Sequence, residues 1–307
     1  MIRRPPRSTP SNSSAASDVY KRQAMDNPIN ELHNRARQLL ETGEVDLVIG
    51  YAQGNSPQKT TPVFITDPAD VEKLVLNPFC RNNLAAWLTR KDLKAKFKRI
   101  AIVAKEPDAR AVIVLIQEEQ VKPEDVRIIP VRIEKPGDPD STCEVLPLES
   151  LDDIQRHLKE NFLPRDLTPE ELKEVEELEK LPPAERWAFW REQFDKCIRC
   201  YACRQACPMC YCDRCIVYMN QPQWVETSPH PLGNFAWNIT RAFHLAGRCV
   251  NCGECERVCP VDIPLMLLNR FIARQVRDHF DYRAGYDIAD YQPLATYKPE
   301  DSEDFIL

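Results

Sequence analysis

The chain has 307 residues, of which 43% are hydrophobic and 29% charged, with a formal net charge of −6. That acidic balance excludes the basic footprint of a nucleic-acid binder, and no apolar run approaches the roughly 18 residues of a membrane-spanning helix. Eleven of the thirteen cysteines fall between positions 197 and 259, which excludes a dispersed disulfide framework and points to local metal binding in a reducing cytoplasm.

Residues 1–9, MIRRPPRST, and 13–23, SSAASDVYKRQ, look like in-frame translations of sequencing-library adaptors. Residues 1–24 are therefore expected to be a non-native, disordered extension, with the natural chain starting at or near Met25. A basic targeting peptide is the alternative, but no apolar segment follows and the Pro and Ser content gives no amphipathic helix. Residues 1–23 hold five basic residues and one acidic residue, a contribution of +4, so the remainder carries −10. Such a surface suits a protein that docks to other proteins.

Asn27-Pro28 predicts a helix over 28–41 that stops before Gly43. A short apolar strand follows over 46–52, and 63–66 reads as its returning strand. Asp67-Pro68 predicts a second helix that Asn77-Pro78 ends, and 80–90 a third. The basic run 91–99 reads as a solvated helix face, 99–104 as a buried strand, 107–120 as a helix and 125–133 as a strand. Strand alternating with helix predicts an α/β domain over 25–148 with a parallel or mixed sheet. Residues 136–147 read as loop, and 149–190 as a helical connector broken at Pro182-Pro183. Trp187, Phe189, Trp190 and Phe194 then lead into the first cysteine, where core packing is preferred to an electron path. A helix is predicted over 264–277, and 279–307 reads as an acidic tail, mobile or ordered by a partner.

Within 191–278 the segment Cys197-Ile-Arg-Cys200-Tyr-Ala-Cys203-Arg-Gln-Ala-Cys207-Pro208 repeats as Cys249-Val-Asn-Cys252-Gly-Glu-Cys255-Glu-Arg-Val-Cys259-Pro260. Both copies are C-x2-C-x2-C-x3-C-P, the run in which the fourth cysteine of each copy ligates the other cluster of a two-cluster ferredoxin. Cluster I is thus expected on Cys197, Cys200, Cys203 and Cys259, and cluster II on Cys249, Cys252, Cys255 and Cys207. This predicts a mainly α, two-cluster ferredoxin-like 4Fe-4S domain. A four-cysteine zinc site needs two C-x2-C pairs, not a triplet followed by Cys-Pro. Cys210, Cys212 and Cys215 are further candidate ligands, and Cys80 and Cys143 read as free thiols. Lys196, Arg199 and Arg204 flank the first loop, whereas Arg248 and Arg257 are balanced by Glu254 and Glu256 near the second. Cluster I is therefore expected to have the higher potential. His33 and His157 read as surface residues.

The sequences VDLVIGYAQG, TPVFIT, ADVEKL and KRIAIVAKEPDARAVIVLI, together with CIRCYACRQACPMCYCDRC, resemble the beta subunits of deazaflavin-dependent hydrogenases and formate dehydrogenases. The resemblance implies a flavin and iron–sulfur electron-transfer subunit, with FAD in the first domain. It also implies a complex with formate dehydrogenase, hydrogenase or heterodisulfide-reductase-like subunits. Where many relatives carry a Gly-Thr-Pro-Cys turn, this chain has Ala104-Lys105-Glu106-Pro107, and no G-x-G-x-x-G is present. A free-standing flavin oxidoreductase and a zinc-binding adaptor are the competing readings.

Overall fold

A computed structural model describes residues 27–163, 167–296 and 299; the adaptor-like segment 1–24 and the end of the acidic tail lie outside the described residues. Helix α1 (Pro28–Glu41) starts where Asn27 accepts a hydrogen bond from the Ile29 amide and Pro28 presets the first turn. It buries Leu32, His33 and Ala36, so His33 is a core residue, its Nε2–H donating to the Leu74 carbonyl (3.0 Å).

Among the described residues the sheet has five strands in the order β2–β1–β3–β4–β5. They are β1 (Leu47–Gln53), β2 (Thr60–Ile65), β3 (Ile100–Ala104), β4 (Val126–Ile133) and β5 (Cys143–Val145). The inner strands β1, β3 and β4 run parallel, with Ile49 opposite Ile102 and Ile102 opposite Ile128; β2 and β5 pair antiparallel at the edges. The sheet is mixed, and its central strand β3 is buried at every residue, the continuous apolar run that a covered parallel strand needs. Short helix α2 (Lys91–Lys94) carries the basic run and buries nothing. Helix α3 (Glu106–Gln117) buries every residue from Asp108 to Ile116.

The remaining helices are α4 (Leu151–Asn161), α5 (Pro169–Lys180), α6 (Pro183–Asp195), α7 (Ala202–Ala206), α8 (Pro231–His244), α9 (Glu254–Arg257) and α10 (Leu265–Phe280). A capping box between Thr168 and Glu171 starts α5. One apolar cluster includes Ile102, Val112 and Val114 of the α/β part together with Met209, Leu245 and Val250 of the cysteine-rich part, so the core continues from one to the other.

Several expectations fail locally. The helix expected after Asp67 is only a 3-10 turn (Pro68–Lys73), since Leu74 turns extended and the Val75 amide donates to the Tyr51 carbonyl (2.8 Å). The helix expected over 80–90 reduces to a 3-10 turn (Leu84–Trp87), with the Asn82 carbonyl held by the Tyr51 hydroxyl (2.6 Å). The expected loop 136–147 contains β5. The described part of the acidic tail is docked on α3: Tyr286 is 1% exposed, the Arg110 guanidinium lies 4.4 Å from its ring centre, and Arg110 donates to the Ala284 carbonyl at 3.0 and 3.1 Å. Its tyrosines supply apolar area that the acidic composition conceals.

Candidate iron–sulfur centre

The two cysteine loops share one backbone conformation. Arg199 (φ +56°) and Tyr201 (φ +59°) bracket Cys200, and Asn251 (φ +55°) and Gly253 (φ +76°) bracket Cys252. A left-handed residue other than glycine costs roughly 1–2 kcal/mol, so the first loop holds this shape against its own side chains. Such alternation turns successive backbone N–H groups toward one concave side, a nest for an anion. Each loop enters a short helix, α7 in the first copy and α9 in the second, and these two helices pack against each other.

The buried thiols of the two copies act on one another across the repeat. Burial pushes the Cys203 thiol above its ordinary range; Cys197, Cys200 and Cys259 act in the same direction, and Arg241 opposes them. Cys252 is also pushed up by burial and by Cys207, Cys249 and Cys255. Burial raises Cys255 to about 12, with Cys207 and Cys249 adding to the effect. Cys207 of the first copy therefore sits with the second loop, and Cys259 of the second copy with the first. The surrounding cores do not divide the same way: Cys197, Cys203 and Cys259 pack against the cluster containing Trp190, Phe194 and Ile263, but Cys255 belongs to that cluster too, Cys249 touches both, and Cys207 and Cys252 pack against the main core. Cys200 is exposed and Cys255 buried.

Between the sets lies Arg241 of α8, which sequence reading missed because nothing in the Pro-rich spacer marks it. Its side chain is 4% exposed and feels Cys210, Cys255, Cys207 and Cys203; Nη2 donates to the Cys203 carbonyl (3.2 Å), while the buried Nε has no hydrogen-bond partner in the described protein. Asn269 donates to the Cys255 sulfur (3.6 Å) and Asn234 to the Cys197 carbonyl (2.8 Å), two further supports that spacing did not reveal. A buried orphan donor and two backbone nests fit thiolate-ligated, negatively charged clusters.

Other expected charges have different duties. Arg199 is buried and spends its guanidinium on the Glu226 carbonyl (3.0 Å), the Gly233 carbonyl and the Tyr201 hydroxyl (3.1 Å), so it braces the first loop against α8. Arg248 is claimed by Glu118, with Nη2 2.7 Å from Oε2, and Arg257 by Glu254 at 2.6 Å. Of the aromatics before Cys197, Trp190 and Phe194 pack as core, stacked at 5.5 Å with Phe194 meeting Phe235 at 6.0 Å, and Phe189 is half-buried, whereas Trp187 is 53% exposed, contrary to expectation. Cys210 forms a thiol hydrogen bond with Cys207, which holds Cys207 down at about 6 against the opposing effect of burial. Cys210, Cys212 and Cys215 line one small pocket with Arg241 and Arg248. Cys80 is buried and Cys143 half-buried.

Comparison with known proteins adds two findings. Residues 196–264 match the family described as 4Fe-4S dicluster domain. The chain is also similar to the F420-dependent formate dehydrogenase subunit beta of Methanocaldococcus jannaschii, 34% identical over 113 residues, covering 36% of this chain and 27% of that protein. The corresponding figures for F420-dependent formate dehydrogenase 1 subunit beta of Methanococcus maripaludis are 38% over 109 residues, 36% and 27%. The chain thus spans about a quarter of the length of these curated relatives. The match shows that this protein contains a ferredoxin-like 4Fe-4S dicluster domain over residues 196–264.

Proposed function

We propose that the chain is an electron-transfer subunit carrying two 4Fe-4S clusters, cluster I on Cys197, Cys200, Cys203 and Cys259 and cluster II on Cys249, Cys252, Cys255 and Cys207. The observation that supports this reading is that Cys197, Cys200 and Cys259 act on the Cys203 thiol, and Cys207, Cys249 and Cys255 on the Cys252 thiol. Each cluster, when bound, takes up or releases one electron, and the protein's part is placement and tuning. The paired loops supply thiolates and inward N–H groups, Arg241 supplies buried positive charge between the two sites, and the Trp190–Phe194 core packs against Cys197, Cys203 and Cys259 of the first.

The complex we propose is a formate dehydrogenase-like assembly, because the relatives are named as beta subunits of an F420-dependent formate dehydrogenase. A hydrogenase or heterodisulfide-reductase-like partner would use the same electron path. A flavin, FAD by the resemblance, is proposed as a third redox group in the α/β part. Among the described residues no helix is long and apolar enough to cross a membrane, and we place the complex in the cytoplasm. The test uses anaerobic EPR of single variants. Cys207→Ala should give the same residual spectrum as Cys249→Ala, and Cys259→Ala the same as Cys197→Ala. Pairing of Cys207→Ala with Cys197→Ala instead would contradict the crossed assignment.

A further inference from the structure

Cys200, the exposed cysteine of the first loop, lies on a face where the charge of the chain changes sign. The chain after residue 23 carries −10, yet segments 90–98 and 198–224 together hold eight basic residues and two acidic ones, Asp92 and Asp213. Both acids are already paired, Asp92 with Arg90 (3.4 Å) and Asp213 with Lys91 of α2. Arg204 of α7 donates to the Cys212 carbonyl at 2.6 Å, and its guanidinium lies 5.7 Å from the centre of the Tyr218 ring. That ring meets Tyr201, the neighbour of Cys200, at 4.8 Å. Contacts therefore run without a break from the lysines of α2 to the first cysteine loop, and Lys96, Lys98 and Arg214 stand exposed along the way.

The same segments leave large apolar side chains in water. Ile198, Ile216, Tyr218, Met219 and Trp224 are all exposed, Trp224 by 75%. Single exposed hydrophobics are ordinary, but a group of them around one site marks an interaction surface. The loop that presents Trp224 is also held in place, because the Asn220 side chain accepts from the Trp224 and Val225 amides at 2.6 and 3.0 Å. An apolar centre with a rim of one charge sign suits a short-lived contact between redox proteins: the charges steer the encounter, and the apolar area excludes water where the two centres come close. The positive rim selects a partner of negative charge, and an incoming carboxylate meets Lys96, Lys98 and Arg214 without displacing either paired acid.

We propose that this face is the docking surface for a small, acidic electron-carrier protein, which exchanges electrons with the chain through cluster I. One electron passes between the carrier's redox centre and cluster I in each encounter; no bond forms and no proton moves. The inference rests on the electron-transfer reading above and adds the surface, its residues and the charge of the partner, which that reading leaves open. Exposed Cys200 makes cluster I the outward-facing centre, whereas Cys255 of the second set is buried.

The test uses the full chain reconstituted with both clusters and kept without oxygen, with an acidic 2Fe-2S ferredoxin as the probe and sedimentation velocity as the binding assay. Affinity should fall about tenfold or more between about 20 and about 300 mM salt, as screening removes the charge contacts. At low salt the double variant Lys96→Glu, Lys98→Glu should weaken binding about tenfold or more, and Trp224→Ser should weaken it at both salt concentrations. Lys173→Glu, an exposed position on α5 outside this face, should stay within about twofold of wild type. Carbodiimide cross-linking followed by mass spectrometry should join ferredoxin carboxylates to Lys96 or Lys98. Iron content per chain, measured on every variant, reports whether the fold and clusters survive. Binding indifferent to the Lys96 and Lys98 reversals, or equally weakened by Lys173→Glu, overturns the surface. No ferredoxin binding by the cluster-replete chain, equal affinity for a basic c-type cytochrome, or self-association of the chain in its place overturns the partner class, and the cluster assignment is judged separately by EPR.

Discussion

Arg241 offers the sharpest handle on how the protein tunes its clusters. It is a buried guanidinium facing cysteines of both sets, Cys203 of the first and Cys207 and Cys255 of the second. Replacing it by glutamine keeps an amide that can reach the Cys203 carbonyl but removes the charge. If that charge acts over about 7 Å at an effective dielectric constant of about 20, it stabilises one added electron by about 2 kcal/mol. For a one-electron couple this equals about 100 mV, on the scale of 59 mV per factor of ten. The expected outcome for Arg241→Gln is a fall of about 100 mV in both cluster potentials, with iron content unchanged. Arg241→Lys should recover most of the loss. Redox titration followed by EPR makes the measurement. Potentials within about 20 mV of wild type in an iron-replete Arg241→Gln protein would refute the electrostatic role.

Two further outcomes follow from local geometry. Gly285 has φ +81°, and a Cβ there would meet the Arg110 carbonyl oxygen at 2.4 Å, so Gly285→Ala should undock the 281–296 segment. The expected signs are a stability loss of at least 1–2 kcal/mol, roughly the left-handed penalty alone, and faster proteolysis within that segment; an unchanged melting temperature would argue against its docking. Burial pushes Cys80 up to about 11, whereas Cys212 is exposed. At pH 8 only about one Cys80 thiol in a thousand is then ionised, so iodoacetamide should label Cys212 first and Cys80 only above about pH 10; mass spectrometry of peptides reads the order.

The dicluster domain was legible because metal chemistry fixes residue type and spacing together. The eight cysteines declare two loops, and the proline after each fourth cysteine marks where the chain turns away. The central strands were legible for a similar reason: 100–104 is too apolar and too short to be anything but a covered strand. The failures share a cause in long-range contacts. Tyr201 gives no sign that it must take a left-handed conformation, because only the second copy has a glycine, Gly253, at the equivalent position. The 3-10 turns after Asp67 and Asn83 replaced longer helices because β1 claims the neighbouring backbone through Tyr51. His157 looked like a surface residue on an amphipathic helix, yet its ring faces a cavity assembled from segments more than a hundred residues apart in sequence. Arg241 was hidden in a spacer whose prolines masked α8. The charge comparison between the two loops also changes, since Arg199 is a brace and Arg241 serves both sites.

The central claim is tested most directly by iron and acid-labile sulfide per chain in protein purified without oxygen. Two cubanes predict about eight of each, and a third cluster engaging Cys210, Cys212 and Cys215 would raise both to about twelve. Stoichiometric zinc with no iron and no labile sulfide would contradict the account.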